Sequence, residues 1–209
     1  MVWLHHIPAI IPKIFPNMLW HKERDSPKVY LTFDDGPVPG ITDFVVEELG
    51  KRGMRATFFM VGDNIRKHPE LAQRVLESGN GLGNHTQHHV KGFGLSCEEY
   101  LKEVSLCQSQ FDMTLGIKPR LFRPPYGQLT NKQLKSILPE FQVVMWDVLS
   151  GDFDKKQSAE VCLEKTKKHT QSGSIIVFHD QQKTSQIVQA VLPSYLDYLT
   201  VKGFETALL

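Results

Sequence analysis

From residue 29 onward the chain alternates short, nearly continuous apolar runs with longer amphipathic ones. The short runs, rich in Val, Ile, Phe and Leu, cover residues 29–33, 56–61, 81–84, 121–123, 142–148, 175–178 and 204–208, and each reads as a strand. Between them apolar residues recur at helical spacing through 42–52, 64–78, 96–115, 131–138, 158–170 and 185–201. Ser96 followed three residues later by Glu99 predicts a capping box at the start of one helix. Gly53, Gly79 and Gly116 stand where helices should stop. Pro193 is expected to kink or split the last helical run. Strand–helix alternation with strands that are apolar on both faces predicts a parallel sheet, hence an α/β fold. Five polar clusters, Asp34-Asp35, 85–89, 123–127, 147–154 and His179-Asp180, each fall where a strand ends. A barrel brings all such ends to one face, whereas an open sheet would separate them. A (β/α) barrel of about seven parallel strands in one domain, residues 28–209, is therefore expected, with residues 1–27 as an arm packed on it.

The chain has 209 residues, 41% hydrophobic and 22% charged, which suits one globular domain. A net charge of +1 offers no field for nucleic acid or an acidic membrane surface. Three cysteines at irregular spacing, with no CxxC, form neither a disulfide framework nor a structural zinc site. The first 21 residues are partly apolar but interrupted by Pro8, Pro12 and Pro16. They show no basic start, unbroken apolar core or small-residue cleavage site. No export signal is recognised, so the sequence alone reads as cytoplasmic, without a transmembrane anchor. Loose contact of the arm with a membrane surface is the lesser alternative. On oligomeric state the sequence is silent.

The polar clusters carry the candidate chemistry. Asp34 and Asp35 are adjacent carboxylates at a strand end, an arrangement that needs a positive group nearby. Turn chemistry explains an Asp before Gly36-Pro37 but not the one before it. His85, His88 and His89 follow a glycine-rich run and are expected at a helix start, where spacings of three or four put two imidazoles on one face. A carboxylate with two imidazoles leaves open coordination positions, as catalytic metal sites do. Zinc suits these donors best, with cobalt, nickel, iron or manganese also fitting. Arg123 precedes Pro124-Pro125, which hold the chain extended, so its guanidinium could orient one Asp of the pair. The Tyr126 N–H, beside Pro125, is a candidate oxyanion donor. His179 ends an apolar strand and is a candidate proton donor; Asp152 is the carboxylate best suited to orient it and raise its pKa.

Together these segments resemble the polysaccharide deacetylase family, carbohydrate esterase family four. Thr32-Phe33-Asp34-Asp35-Gly36, His85-Thr86-Gln87-His88-His89, Arg123-Pro124-Pro125-Tyr126-Gly127 and Val177-Phe178-His179 match four of its motifs in order. The resemblance covers the chain from about residue 28 to the end. In the remaining motif, Asp-Ser-x-Asp-Trp, this chain has Leu149-Ser150-Gly151-Asp152-Phe153: Asp152 is kept, while Leu149 replaces the first Asp and Phe153 the Trp. That departure bears on the groove wall and acetyl pocket more than on the chemistry. The resemblance implies a distorted (β/α) barrel, a divalent metal held by Asp35, His85 and His89 rather than His88, Asp34 as base and His179 as acid. It implies hydrolysis of an N-acetyl group on an amino-sugar oligo- or polysaccharide, a substrate found in the cell envelope. The alternatives are an O-acetyl esterase on xylan, a cyclic-amide hydrolase on a small nitrogenous compound, and a carbohydrate-binding module without catalysis.

Overall fold

The computed structural model describes residues 5–209. Eight strands, β1 (Lys28–Asp34), β2 (Thr57–Met60), β3 (Gly81–Asn84), β4 (Leu121–Phe122), β5 (Gln142–Val143), β6 (Val148–Leu149), β7 (Ile175–His179) and β8 (Glu205–Thr206), are connected mostly through helices. The helices are α1 (Ile10–Ile14), α2 (Ile41–Lys51), α3 (Gly62–Lys67), α4 (Pro69–Glu77), α5 (Cys97–Leu115), α6 (Asn131–Ile137), α7 (Ala159–His169) and α8 (Ser185–Val201). Seven strands form one path in the order β5-β4-β3-β2-β1-β7-β6, and β8 pairs with the start of β1. Every pairing is parallel. The result is a curled, distorted (β/α) barrel in a single domain, as the alternation predicts.

The strand pattern divides the interior. Val29, Leu31 and Phe33 of β1 face outward into the main core with Val45 and Leu49 of α2 and Leu192, Tyr195 and Leu196 of α8. Burying each such side chain is worth about 1.5–3 kcal/mol. Thr32 and Asp34, two apart, take the other face and look into the barrel. The Ser96–Glu99 capping box forms at α5, and Gly53, Gly79 and Gly116 all have positive φ after their helices.

Three elements differ from the pattern's reading. The apolar run 142–148 is not one strand: Val144 N–H bonds to Phe122 O at one end of the sheet, and Asp147 N–H bonds to Ile175 O at the other. The run therefore crosses the barrel's seam, and Val143, Val144, Met145 and Val148 are apolar because each is buried there. Residues 64–78 are two helices, since Pro69 cannot continue α3 but can begin α4. Helix α8 is not split at Pro193. Its buried face carries Val188, Leu192 and Leu199, and the carbonyl that Pro193 leaves without a partner belongs to exposed Gln189. The arm, whose short helix α1 the prolines concealed, covers both open sheet edges. Leu19 exchanges hydrogen bonds with Val143 O (2.8 Å) and Met145 N (2.7 Å), while Ile7 N–H reaches Asp147 O and Leu149 N–H reaches His5 O. Unpaired edges are thus blunted. Among the described residues no helix is long and apolar enough to cross a membrane.

Candidate active site

The strand ends converge as a barrel requires, and a buried arginine organises the floor. Arg123 has no exposed surface. Its Nη1 donates to Asp34 Oδ1 at 2.6 Å and to Thr32 Oγ1 at 2.7 Å. Its Nη2 donates to Met145 O at 2.9 Å, its Nε to Val144 O at 3.3 Å, and its guanidinium lies 4.1 Å from the Phe59 ring centre. Burial pushes the guanidinium's pKa down from its ordinary value, with the Asp34 charge opposing. The pair is thus a fixed, oriented ion pair at the end of β1.

Asp35 follows at a turn with φ 82°, so its side chain leaves the strand direction of Asp34. Its Oδ1 lies 3.3 Å from His85 Nε2 and 2.9 Å from His89 Nε2. The three ligand atoms all lie within 4.8 Å of one another. The histidines are not on a helix, contrary to expectation. Residues 85–89 form a loop with Thr86 at φ 65° and His89 at φ 54°. Tertiary bonds override helix formation there: Asn84 Oδ1 accepts Thr86 N–H (2.9 Å), Glu103 O accepts Gln87 N–H, and Gly62 and Asp63 N–H bond to the carbonyls of Thr86 and Gln87. His88 turns outward to Glu103 at 3.0 Å and is more than half exposed.

This donor set fits a divalent cation. Asp35 Oδ1 is buried with no hydrogen-bond partner, although two imidazole nitrogens face it. Burial alone would push the Asp35 carboxyl up; the imidazoles of His85 and His89 outweigh it and hold the group well below the usual carboxylate range. His85 Nδ1 is engaged with Arg123 O at 2.7 Å, which leaves Nε2 as the nitrogen facing Asp35.

Across the mouth, His179 ends β7 and pairs in register with Asp34. Asp152 receives both the His179 N–H (2.7 Å) and Nδ1 (2.8 Å). Burial pushes the imidazole down, but the charge and hydrogen bond of Asp152 prevail and raise its pKa to about 9. The Phe153 ring stands edge-on to His179 at 5.3 Å. Asp147, in the same acidic run, is occupied elsewhere, receiving Ile175 N–H, Ser174 Oγ and Arg24. Tyr126 sits on the rim after buried Pro125, with φ 60°, its ring 4.7 Å from His89 and 5.0 Å from Lys91 Nζ.

Three contributors escaped the sequence reading. Gln181 Nε2 donates to Asp35 Oδ2 at 2.5 Å; Asn84 pins the histidine loop; Thr32 shares Arg123 with Asp34. Thr32 was findable, since residues two apart on a strand share a face. Asn84 and Gln181 carried only their nearness to His85 and His179.

The polysaccharide deacetylase profile matches residues 21–145. The chain belongs to the polysaccharide deacetylase family. It is 35% identical over 182 residues to a peptidoglycan-N-acetylmuramic acid deacetylase, PdaC, of Bacillus subtilis, covering 85% of this chain and 38% of that protein. It is 30% identical to a peptidoglycan-N-acetylglucosamine deacetylase of Bacillus cereus, covering 88% and 87% of the two chains. The crystal structure of the Bc1960 peptidoglycan N-acetylglucosamine deacetylase superposes with a TM-score of 0.90 at 27% identity, covering 97% and 95%. Against several relatives the match is partial: the chain spans 38% of the length of PdaC and 55% of that of another Bacillus cereus deacetylase.

Proposed function

We propose that this protein is a divalent-metal-dependent N-deacetylase acting on an amino-sugar polymer, with peptidoglycan of the cell envelope as the favoured substrate. The observation that carries the reading is the convergence of Asp35, His85 and His89 on one buried, unpartnered carboxylate oxygen, beside two separately paired proton-handling groups. The names of the peptidoglycan-deacetylating relatives supply the substrate class.

Asp35, His85 and His89 would hold the metal, zinc being best suited to the donors. A cation there polarises a carbonyl and acidifies a water when bound. Asp34, aimed by Arg123, takes a proton from the attacking water. The new bond is between that water's oxygen and the acetyl carbon. The Tyr126 N–H donates to the oxygen on which charge develops. His179, protonated through Asp152, delivers a proton to the sugar nitrogen as the carbon–nitrogen bond breaks. Acetate and a free amino sugar leave. An amide needs that acid because an amine is a poor leaving group, which is why a histidine with a raised pKa favours N- over O-deacetylation.

Acetate release from N-acetylated peptidoglycan fragments, chitooligosaccharides and acetylated xylan, with and without chelator, tests the reading. Release from the amino-sugar substrates, abolished by chelator and restored by zinc, is expected. Release from xylan alone makes the protein an esterase. Binding of oligosaccharide with no acetate from any substrate makes it a non-catalytic module.

A further inference from the structure

His179-Asp180 ends a strand with two titratable residues, and the chemistry above uses only the first. Asp180 is nevertheless fully buried. Its Oδ1 accepts the Gly36 N–H at 3.1 Å, its Oδ2 accepts the Thr42 hydroxyl at 2.6 Å, and its own N–H donates to Asp34 O at 3.0 Å. Thr42 Oγ1 in turn accepts the Val38 N–H at 2.7 Å. The residue that follows β7 thus grips the main chain immediately before and immediately after Asp35. We propose that Asp180 is a positioning residue that locks the Asp35 turn so that its carboxylate stays within reach of His85 and His89.

The physical case rests on what that turn demands. Asp35 holds φ 82°, a region that non-glycine residues occupy only when their surroundings over-determine it. Three of the turn's bonds come from the β2–α3 side: Asp35 N–H to Phe59 O, Gly36 O from Val61 N–H, and Asp35 O from Asn64 Nδ2 at 2.7 Å. The side chain of Asp180 supplies the opposing hold from the β7 side and, through Thr42, ties the turn to the start of α2. The contact has no slack: a Cβ on Gly36 would lie 2.0 Å from Asp180 Oδ2. Removing the carboxylate frees a buried N–H and opens space behind the turn, so Asp35 can leave the position that makes a ligand set. Groups that orient ligands from behind commonly control metal affinity by 10–100-fold.

The inference rests on the metal reading above, and its test reads zinc affinity of the full chain by competition with a chromophoric chelator. Asp180→Ala is expected to lower zinc affinity by about 10- to 100-fold, and Asp180→Asn, which keeps an acceptor for Gly36, to lower it less. Thr42→Val should weaken zinc and Thr42→Ser should restore it. Tyr195→Phe, which loses the remote bond to Thr170, should lower the melting temperature without changing zinc affinity. A folded Asp180→Ala that binds zinc as the wild type does overturns the proposal. Where Asp180→Ala does not fold, equal affinity in Thr42→Val, Thr42→Ser and wild type overturns it instead. A wild-type protein with no zinc affinity overturns the metal reading and this inference with it.

Discussion

The two halves of the site are held by different means. Asp34 and His179 are the last residues of adjacent parallel strands and lie directly opposite each other in the β1–β7 ladder. Their spacing follows from sheet geometry, and each is aimed by one buried partner, Arg123 or Asp152. The other half is carried on turns. Asp35, Thr86, His89 and Tyr126 are the described non-glycine residues with positive φ, and every one lies in the site loops. Such conformations cost about 1–3 kcal/mol each and persist only where neighbours enforce them. The proton-handling half is therefore built on regular hydrogen-bonded backbone. The proposed ligand half is carried on backbone in unfavourable conformations, with the side chains of Asn84, Gln181 and Asp180 bonded against it.

Substitutions can separate the halves. The largest effects are expected at the reacting groups themselves. Asp34→Asn should cut turnover by about 10²–10⁴-fold while zinc stays bound, whereas His85→Ala should lose the zinc; metal analysis beside a turnover assay distinguishes them. Zinc loss in Asp34→Asn, with zinc kept in His85→Ala, would reverse the division.

Next comes Asp152→Asn. With its carboxylate gone, His179 should titrate about 1–3 units lower, moving the alkaline limb of the rate profile to lower pH. The same pair sets a stability trend in protein stripped of metal. Because the folded pKa is raised from 6.5 to about 9, the stability it contributes is complete below about pH 6.5 and is lost as pH rises through 9. Urea unfolding between those values should show the loss in wild type and a flatter dependence in Asp152→Asn.

Asn84→Ala tests the loop half. It strands the buried Thr86 N–H and should cost about 1–3 kcal/mol in denaturant unfolding, with zinc affinity falling and the His179 titration unmoved. A shifted His179 titration would show that the halves are not independent. The smallest effect is expected at Tyr126→Phe. Only its backbone N–H is assigned a role and its ring is half exposed, so stability should stay within about 0.5 kcal/mol and turnover should be near that of wild type.

Much of this architecture was legible before any coordinates. The alternation of apolar strands with amphipathic helices is a direct record of burial, so it marked β1, β2, β3 and β7, the capping box of α5 and the glycine stops. Polar clusters at strand ends marked Asp34, Asp35, Arg123 and His179, because little else puts charge at the end of a buried run. Where tertiary contacts outweigh local preference, the pattern misled. It made one strand of 142–148, which serves both ends of the sheet, and a helix of 85–89, whose amides are taken by α5 and by Asn84.

By itself, then, the order of residues determined the fold class, the family and the identities of the candidate reacting groups, since these depend on periodicity and on side-chain chemistry along the chain. The sequence also favoured Asp152 for His179 and, through the family resemblance, His89 over His88; only the folded molecule supplied the contacts that seat them, Asp152 against His179 and Glu103 against His88, and decided that Asp180 stands behind the Asp35 turn. Each of these is a contact between segments far apart in sequence or a backbone angle imposed by such a contact. Local periodicity carries no record of either.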